Sequence, residues 1–243
     1  MVSYYENNLG VTFDTKHSFR DFELYPVTRF YVSPPEPKTN YVEIAGADGT
    51  LDLTQALSTV IRFNDRNYEQ QFKLVCDRVY WAQRLSDIMN YLQGRDIQFI
   101  SDEDPLYFYS GRLYVSAYEH SNKAMYVTIS GQIEPYKYEL YSSIERWEWD
   151  PFNFETGIMR DYADIEVDNE TITVYGSVKA VVPAFIVTDS DELVLKSVNG
   201  ETLNVDMDDG QHIYPEVEII NGINVLEFEG SGTVSIDFRG ASL

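Results

Sequence analysis

Calcium binding is the first chemistry that the residue types suggest. Asp206, Asp208 and Asp209 precede Gly210 in an acidic run. An EF-hand loop requires acids at alternate positions before its glycine and a Glu at position twelve, which in this sequence is Val217. The match is therefore poor, and the run is better explained as a turn between strands.

Catalytic or metal chemistry built on histidine is not indicated either. His17, His120 and His212 are far apart in the sequence, and no serine elbow, Walker loop or dinucleotide fingerprint accompanies them. The 40 acidic residues make chance carboxylate pairs unavoidable. The single cysteine, Cys76, has no partner for an internal disulfide and is typical of a small core residue. We therefore expect no enzyme activity, no cofactor and no bound metal.

Two tryptophans suggest a binding surface for sugars. Trp147 and Trp149 are two residues apart in a segment with strand character, so both indoles would face the same side and could stack on a sugar ring. An aromatic plug between domains, or in the core of a sandwich, is the favoured alternative. A carbohydrate-binding module nevertheless remains a competing class of function.

The charge distribution argues against nucleic-acid binding. The chain has 18 basic and 40 acidic residues, a net charge of −22, which repels DNA and anionic membranes. Residues 1–140 contain 13 basic and 19 acidic side chains (net −6), whereas residues 141–243 contain 5 and 21 (net −16). This step predicts a domain boundary near residue 140. The sequence has neither a signal-peptide pattern at its start nor an apolar run long enough for a membrane span, so we expect synthesis in a cytoplasm and no membrane insertion.

The elements that must position these residues are mostly strands. Runs rich in aromatic and β-branched residues, bounded by turn-forming residues, predict strands in the first 140 residues. These runs fall within 1–33 and at 59–63, 68–76, 97–100, 106–118 and 124–133. Residues 64–67, Asn-Asp-Arg-Asn, have the composition of a hairpin turn.

One amphipathic helix interrupts the strands. Its apolar stripe, at helical spacing, consists of Trp81, Leu85, Ile88, Met89 and Leu92. Asp77 suits the N-cap position and Gly94 suits the residue that follows the last turn. A single helix among strands is expected to lay its stripe on a sheet.

Residues 141–243 lack a helical period. Short strand-like runs alternate with turn residues at regular intervals, which is the pattern of an antiparallel β-sandwich. We therefore predict a mainly β protein of two domains. Residues 1–140 form a β-rich domain with one helix, and residues 141–243 form the antiparallel sandwich.

The segment 34–57 is a distinct part of the first domain. Three prolines within four residues stiffen its start, and Gly46 and Gly49 can take the positive φ of a tight turn. Leu51 and Leu53 flank Asp52, so both leucines face one side without a local core. We interpret residues 34–57 as an arm that packs on another subunit. An ordinary long surface loop with a tight hairpin is the alternative.

The sequence of this arm resembles the signature of the distal tail protein (Dit) family of bacteriophages with long non-contractile tails. The resemblance rests on the run NYVEIAGADGTLDLT at residues 40–54, after a proline segment of the PEPK type. Similarity continues at 19–24, 63–66, 72, 134–138 and 230–240. Ala47 departs from the pattern, because a larger and often basic residue is expected there, and this puts any contact by that side chain in doubt.

The resemblance implies a structural virion component of the tail tip or baseplate. N-terminal domains of six copies would form a ring that joins the tail tube protein to the tail-tip hub protein and its receptor-binding proteins. The C-terminal domains would project outwards as galectin-like jelly rolls, and genome DNA would pass through without specific binding. The implied oligomerisation residues are Tyr41, Ile44, Gly46, Asp48, Gly49, Leu51, Asp52 and Leu53. A carbohydrate-binding module that contacts the host cell wall is the alternative.

Overall fold

The computed structural model describes residues 10–56, 60–121, 124–145 and 160–243. The chain divides into two compact units, Met1–Lys137 and Tyr138–Ser242. This division lies close to the charge step at residue 140. That each unit folds on its own stays a prediction.

Antiparallel strands dominate the first unit. The described residues contain β1 (Val11–Phe13), β2 (Lys16–His17), β3 (Leu24–Pro26), β4 (Tyr41–Glu43), β5 (Thr50–Asp52), β6 (Arg66–Leu74), β7 (Arg95–Ser101), β8 (Tyr107–His120) and β9 (Met125–Ile133). Seven of them form a sheet in the order β2-β1-β7-β8-β9-β6-β3, while β4 and β5 pair with each other. The strands predicted at 68–76, 97–100, 106–118 and 124–133 are confirmed.

The predicted helix is present as α2 (Trp81–Leu92), the second helix of the described chain. Ile88 and Leu92 of its stripe are buried, and Trp81, Leu85 and Met89 pack against the same core. A 3-10 turn, Arg78–Tyr80, precedes the helix, so Asp77 caps that turn and makes no side-chain hydrogen bond. Gly94, beyond the end of the helix, has a φ of 71°.

The prediction of strand structure across residues 18–22 is wrong, because Ser18–Phe22 forms a short helix, α1. His17 caps this helix. Its Nδ1 accepts hydrogen bonds from the backbone N–H groups of Phe19 (3.1 Å) and Arg20 (3.2 Å). The backbone N–H of His17 donates to the carboxylate of Asp21 (2.7 Å). These local bonds outweigh the alternation of apolar and polar residues that favours a strand.

The hairpin turn predicted at residues 64–67 is also wrong. Arg66 begins β6, and the chain from 60 to 65 leads directly into that strand instead of folding back. The partner of this stretch is distant in the sequence, since Pro37 bridges Phe63 and Val32 bridges Tyr68. The turn-forming residues correctly indicated an exposed polar segment, but they did not show whether the chain reverses there or continues into the next strand.

One core holds the first unit together. The side chains of β6 alternate between buried and exposed, as expected for a sheet with one face on the core. Phe99 lies at the centre of this core, with its ring centroid 4.8 Å from that of Tyr68 and 5.5 Å from that of Tyr109. This sheet and α2 form the base from which the arm extends.

The second unit is built on two long strands. Its strands, with β10 at the boundary, are β10 (Lys137–Glu139), β11 (Ile165–Asp168), β12 (Thr171–Gly176), β13 (Ala184–Val198), β14 (Glu201–Asp206), β15 (Gly210–Ile213), β16 (Gly222–Asp237) and β17 (Ala241–Ser242). β13 and β16 pair with each other along their length. The first half of β13 also pairs with β15 and its second half with β14. The first half of β16 also pairs with β12 and its second half with β11.

Both halves of this sheet face a single core. Phe185 and Val234 come from one half, Leu195 and Leu226 from the other, and all four are buried in the same cluster. The register of β13 against β16 shifts between Thr188 and Val194, where the sheet bends. The sheet thus folds over itself, and the prediction of a mainly β protein is confirmed.

Candidate functional site

The arm leaves the first unit as a ribbon of two extended segments that are joined by isolated bridges. The Lys38 N–H donates to the carbonyl of Arg62 (2.8 Å), and the Asn64 N–H donates to the carbonyl of Glu36 (2.8 Å). These bonds tie residues 33–38, which lead outwards, to residues 62–67, which return to β6. We call this ribbon the stalk of the arm. Prolines are compatible with it because its bonds use the N–H groups of Lys38 and Asn64, so the donors that proline lacks are not needed for them.

A small hairpin forms the tip of the arm. β4 and β5 pair with Tyr41 opposite Asp52 and Val42 opposite Leu51. Gly46 and Gly49 in the connecting turn have φ values of 85° and 77°, as the sequence predicts. No heavy atom lies within 4 Å of the position that a Cβ would take at either glycine, so a side chain would fit there. Glycine is favoured at both positions because of the positive φ and not because of a lack of space.

Side-chain hydrogen bonds close the base of this hairpin. The Thr54 N–H donates to Asp52 Oδ1 (2.8 Å), and the Asn40 N–H donates to Thr54 Oγ1 (3.0 Å). The hydrogen bonds from the Thr54 side chain and then from its backbone lower the pKa of Asp52. Asp52 therefore shapes the tip by holding the chain where β5 ends.

One face of the tip is apolar and uncovered. Val42 and Leu51 are direct cross-strand neighbours, and the two-residue period of a strand places Ile44 on the same face. The exposed fractions are 40% for Val42, 49% for Ile44 and 48% for Leu51. We call these three residues the apolar face. Contiguous exposed apolar groups of this kind mark surfaces that bind another molecule.

The predicted arm residues divide into three groups. Tyr41, Ile44 and Leu51 are exposed apolar residues of the tip, and Leu53 is half-buried where the chain leaves β5. Gly46 and Gly49 shape the turn that also contains the exposed Asp48, and Asp52 closes the base. Val42 was missed. Its alternation with Ile44 was visible in the sequence, but its position opposite Leu51 depends on the pairing register.

The remaining candidates for chemistry do not converge. Trp147 and Trp149 lie outside the described residues, so the sugar-stacking hypothesis stays a prediction. In the described ranges, no group of three or more His, Cys, Asp or Glu side chains is arranged to hold a metal ion. Asp209 of the acidic run accepts a hydrogen bond from the backbone of Ser190 (2.9 Å). Cys76 is half-buried, and burial is the main cause that raises the pKa of its thiol.

The acidic turn after β7 is tied to its surroundings. Asp102 accepts hydrogen bonds from the Gly10 N–H (2.7 Å) and from Nε2 of His17 (3.0 Å), which carries the proton because Nδ1 is an acceptor. Asp104 forms an ion pair with Lys137 (2.6 Å). These two carboxylates therefore have local partners. Within the described part of the chain, no helix has the length and apolar character needed to cross a membrane.

Comparison with known proteins identifies the fold but no sequence relative. No family model matches the sequence, and no curated protein matches it. The fold is that of a distal tail protein. The structure is similar to the crystal structure of the SPP1 Dit protein (gp 19.1), which is described as a paradigm of the hub adsorption apparatus in phages that infect Gram-positive bacteria. The TM-score is 0.62 at 12% sequence identity, over 97% of this chain and 99% of that chain. The resemblance to the distal tail proteins is confirmed at the level of the fold.

Proposed function

We propose that this chain is a structural component of a phage tail tip, located in the virion at the hub of the adsorption apparatus. The observation that carries this proposal is the similarity of fold to a phage hub protein over nearly the full length of both chains. The exposed tip hairpin supports it, because the run that resembles the distal tail signature, residues 40–54, forms a separate protruding element. The proposed role is assembly, and it assigns no catalytic activity.

The finer proposal is a closed ring of six copies that joins the tail tube to the tail-tip hub. Head-to-tail contacts in a ring require a protruding element on each subunit and an acceptor on the next one. The arm suits the first requirement, since the apolar face projects on a ribbon and is not covered by the described residues of its own unit. A neighbouring subunit is the proposed cover for that face.

The experiment is to measure the mass of the purified chain. Light scattering over a range of concentrations should detect a six-fold species, alone or together with the tail tube and hub proteins, and negative-stain images should show rings. Monomers under all of these conditions would refute the ring. Immunolabelling of virions that contain the protein tests the coarser proposal separately, because label found away from the tail tip would contradict it.

A further inference from the structure

An arginine is buried where the arm joins the first unit. Arg66 is 7% exposed, and its guanidinium carbon lies 5.6 Å from the centre of the Tyr109 ring. Its Nε donates a 2.6 Å hydrogen bond to the carbonyl of Ser33. One terminal nitrogen of the guanidinium is buried without a hydrogen-bond partner among the described residues. Burial also lowers the pKa of Arg66.

Stability does not explain this arginine. A buried N–H donor without an acceptor is unfavourable, and a buried charge costs more when no opposite charge lies beside it. An apolar side chain of similar length, such as methionine, would fill the same space without either cost. The role of Arg66 must therefore depend on a contact that an apolar side chain cannot make.

That contact joins the two strands of the stalk. Ser33 lies in the outgoing segment, and the returning segment enters β6 at Arg66. Two further hydrogen bonds meet at the same point. The Ser33 N–H donates to the carbonyl of Asn67 (2.9 Å), and the Asn67 N–H donates to the side-chain Oγ of Ser33 (2.8 Å). Arg66 adds a charged donor to this junction and at the same time packs on Tyr109 of β8. One side chain thus connects the stalk to the interior of the sheet.

We propose that Arg66 is a positioning residue that fixes the direction in which the arm leaves the first unit. Its value for assembly rests on the proposed function. An arm held in one orientation loses less conformational entropy when it binds a neighbouring subunit, so the contact becomes tighter without any new interface residue. Beyond Arg66, the bonds described between the two segments of the stalk are backbone bonds and the bond from the Asn67 N–H to Ser33 Oγ, and bonds of this kind at an exposed position open easily by local fluctuation.

The test is amide hydrogen exchange on the monomer of Arg66→Met. The amides of Ser33, Lys38 and Asn64, which donate the stalk bonds, are expected to exchange about tenfold faster or more, the factor expected for the loss of one hydrogen bond to a charged donor. The amides of β8 and β9 should keep their protection, and the thermal midpoint should stay unchanged or rise. Lys73→Met is the matched control, because it removes a cation from the same strand away from the arm, and it should leave stalk exchange unchanged.

Two outcomes would overturn this inference. Unchanged exchange at the three stalk amides would mean that the arm is held without Arg66. A lower thermal midpoint with uniform loss of protection across β6, β8 and β9 would mean that Arg66 is an ordinary support of the core. If Arg66→Met does not fold, Arg66→Leu replaces it. Leucine also removes both the donor to the Ser33 carbonyl and the contact of the guanidinium with Tyr109, so stalk exchange at the wild-type rate would again overturn the inference. Because all readouts are on the monomer, failure of the wild type to form rings would refute the proposed function and leave this result intact.

Discussion

Replacement of the apolar face by threonine should prevent ring assembly without unfolding the chain. The variant Val42→Thr/Ile44→Thr/Leu51→Thr keeps residues that favour strands, and two threonines form an acceptable cross-strand pair in the hairpin. The three side chains are 40–49% exposed in the isolated chain, so nearly half of the surface of each is available for burial in a contact. The substitution therefore acts on the interface more than on the fold.

The size of the effect follows from that exposed surface. Full burial of such a side chain contributes about 1.5–3 kcal/mol. Burial of the remaining half, summed over the three side chains, contributes about 2–4 kcal/mol per subunit contact. Loss of this contribution weakens the affinity of each contact by roughly 30- to 1,000-fold. Each exposed substitution changes folding stability by about 0.5 kcal/mol or less, so the three together should move the thermal midpoint by no more than about 6 °C.

The assay combines sedimentation velocity with a thermal melt followed by circular dichroism. The control, Ile213→Thr/Ile223→Thr, changes two residues of the second unit that are each 62% exposed, and it should assemble like the wild type. Rings of the arm variant with an unchanged assembly midpoint would refute the role of the apolar face. An unfolded arm variant would show that these residues are intramolecular core.

Three further predictions concern the domains, DNA and pH. Limited proteolysis should cut first near residue 140 and leave two resistant fragments, whereas a first cut within residues 170–230 would contradict independent folding of the two units. The net charge of −22 should prevent measurable binding of duplex DNA at about 0.15 M salt in a filter-binding assay. Binding under those conditions would contradict the expectation that genome DNA passes the protein without being bound. Burial raises the pKa of Tyr68 well above the ordinary value of about 10, so the folded state retains this proton when the unfolded chain loses it. Stability should therefore be constant with respect to Tyr68 below pH of about 10 and should fall above it, and Tyr68→Phe should reduce the slope of thermal midpoint against pH in that range.

Local patterns in the sequence predicted the elements whose cause is local. The stripe from Trp81 to Leu92 gave the helix, because helical spacing and burial coincide there. The alternation along residues 68–74 gave β6, and the glycines at 46 and 49 gave a turn with positive φ. In each case the residues that carry the signal also make the decisive interactions.

The failures have a different cause. The helix α1 depends on the side chain of His17 as a cap, a role for which histidine is an uncommon residue. The direction of residues 60–65 depends on pairing with residues 36–38, more than twenty positions earlier, and no local composition encodes that register. The same limit hid Val42, whose importance follows from lying opposite Leu51. The sequence did not indicate that Arg66 is buried, because a lone arginine next to turn residues is typical of a solvent-exposed position.

The two long strands of the second unit have a mechanical consequence. β13 and β16 each run through both halves of the folded sheet, so the two halves are joined by two continuous backbones that pair with each other in both halves. A load applied to one half is transmitted to the other along two covalent backbones and their mutual hydrogen bonds, and not through side-chain packing alone. At the bend, a Cβ on Gly230 would collide with the backbone carbonyl of Glu192, so the two backbones are in close contact there. The second unit should therefore transmit force as one stiff body and yield in a single step when it is pulled apart.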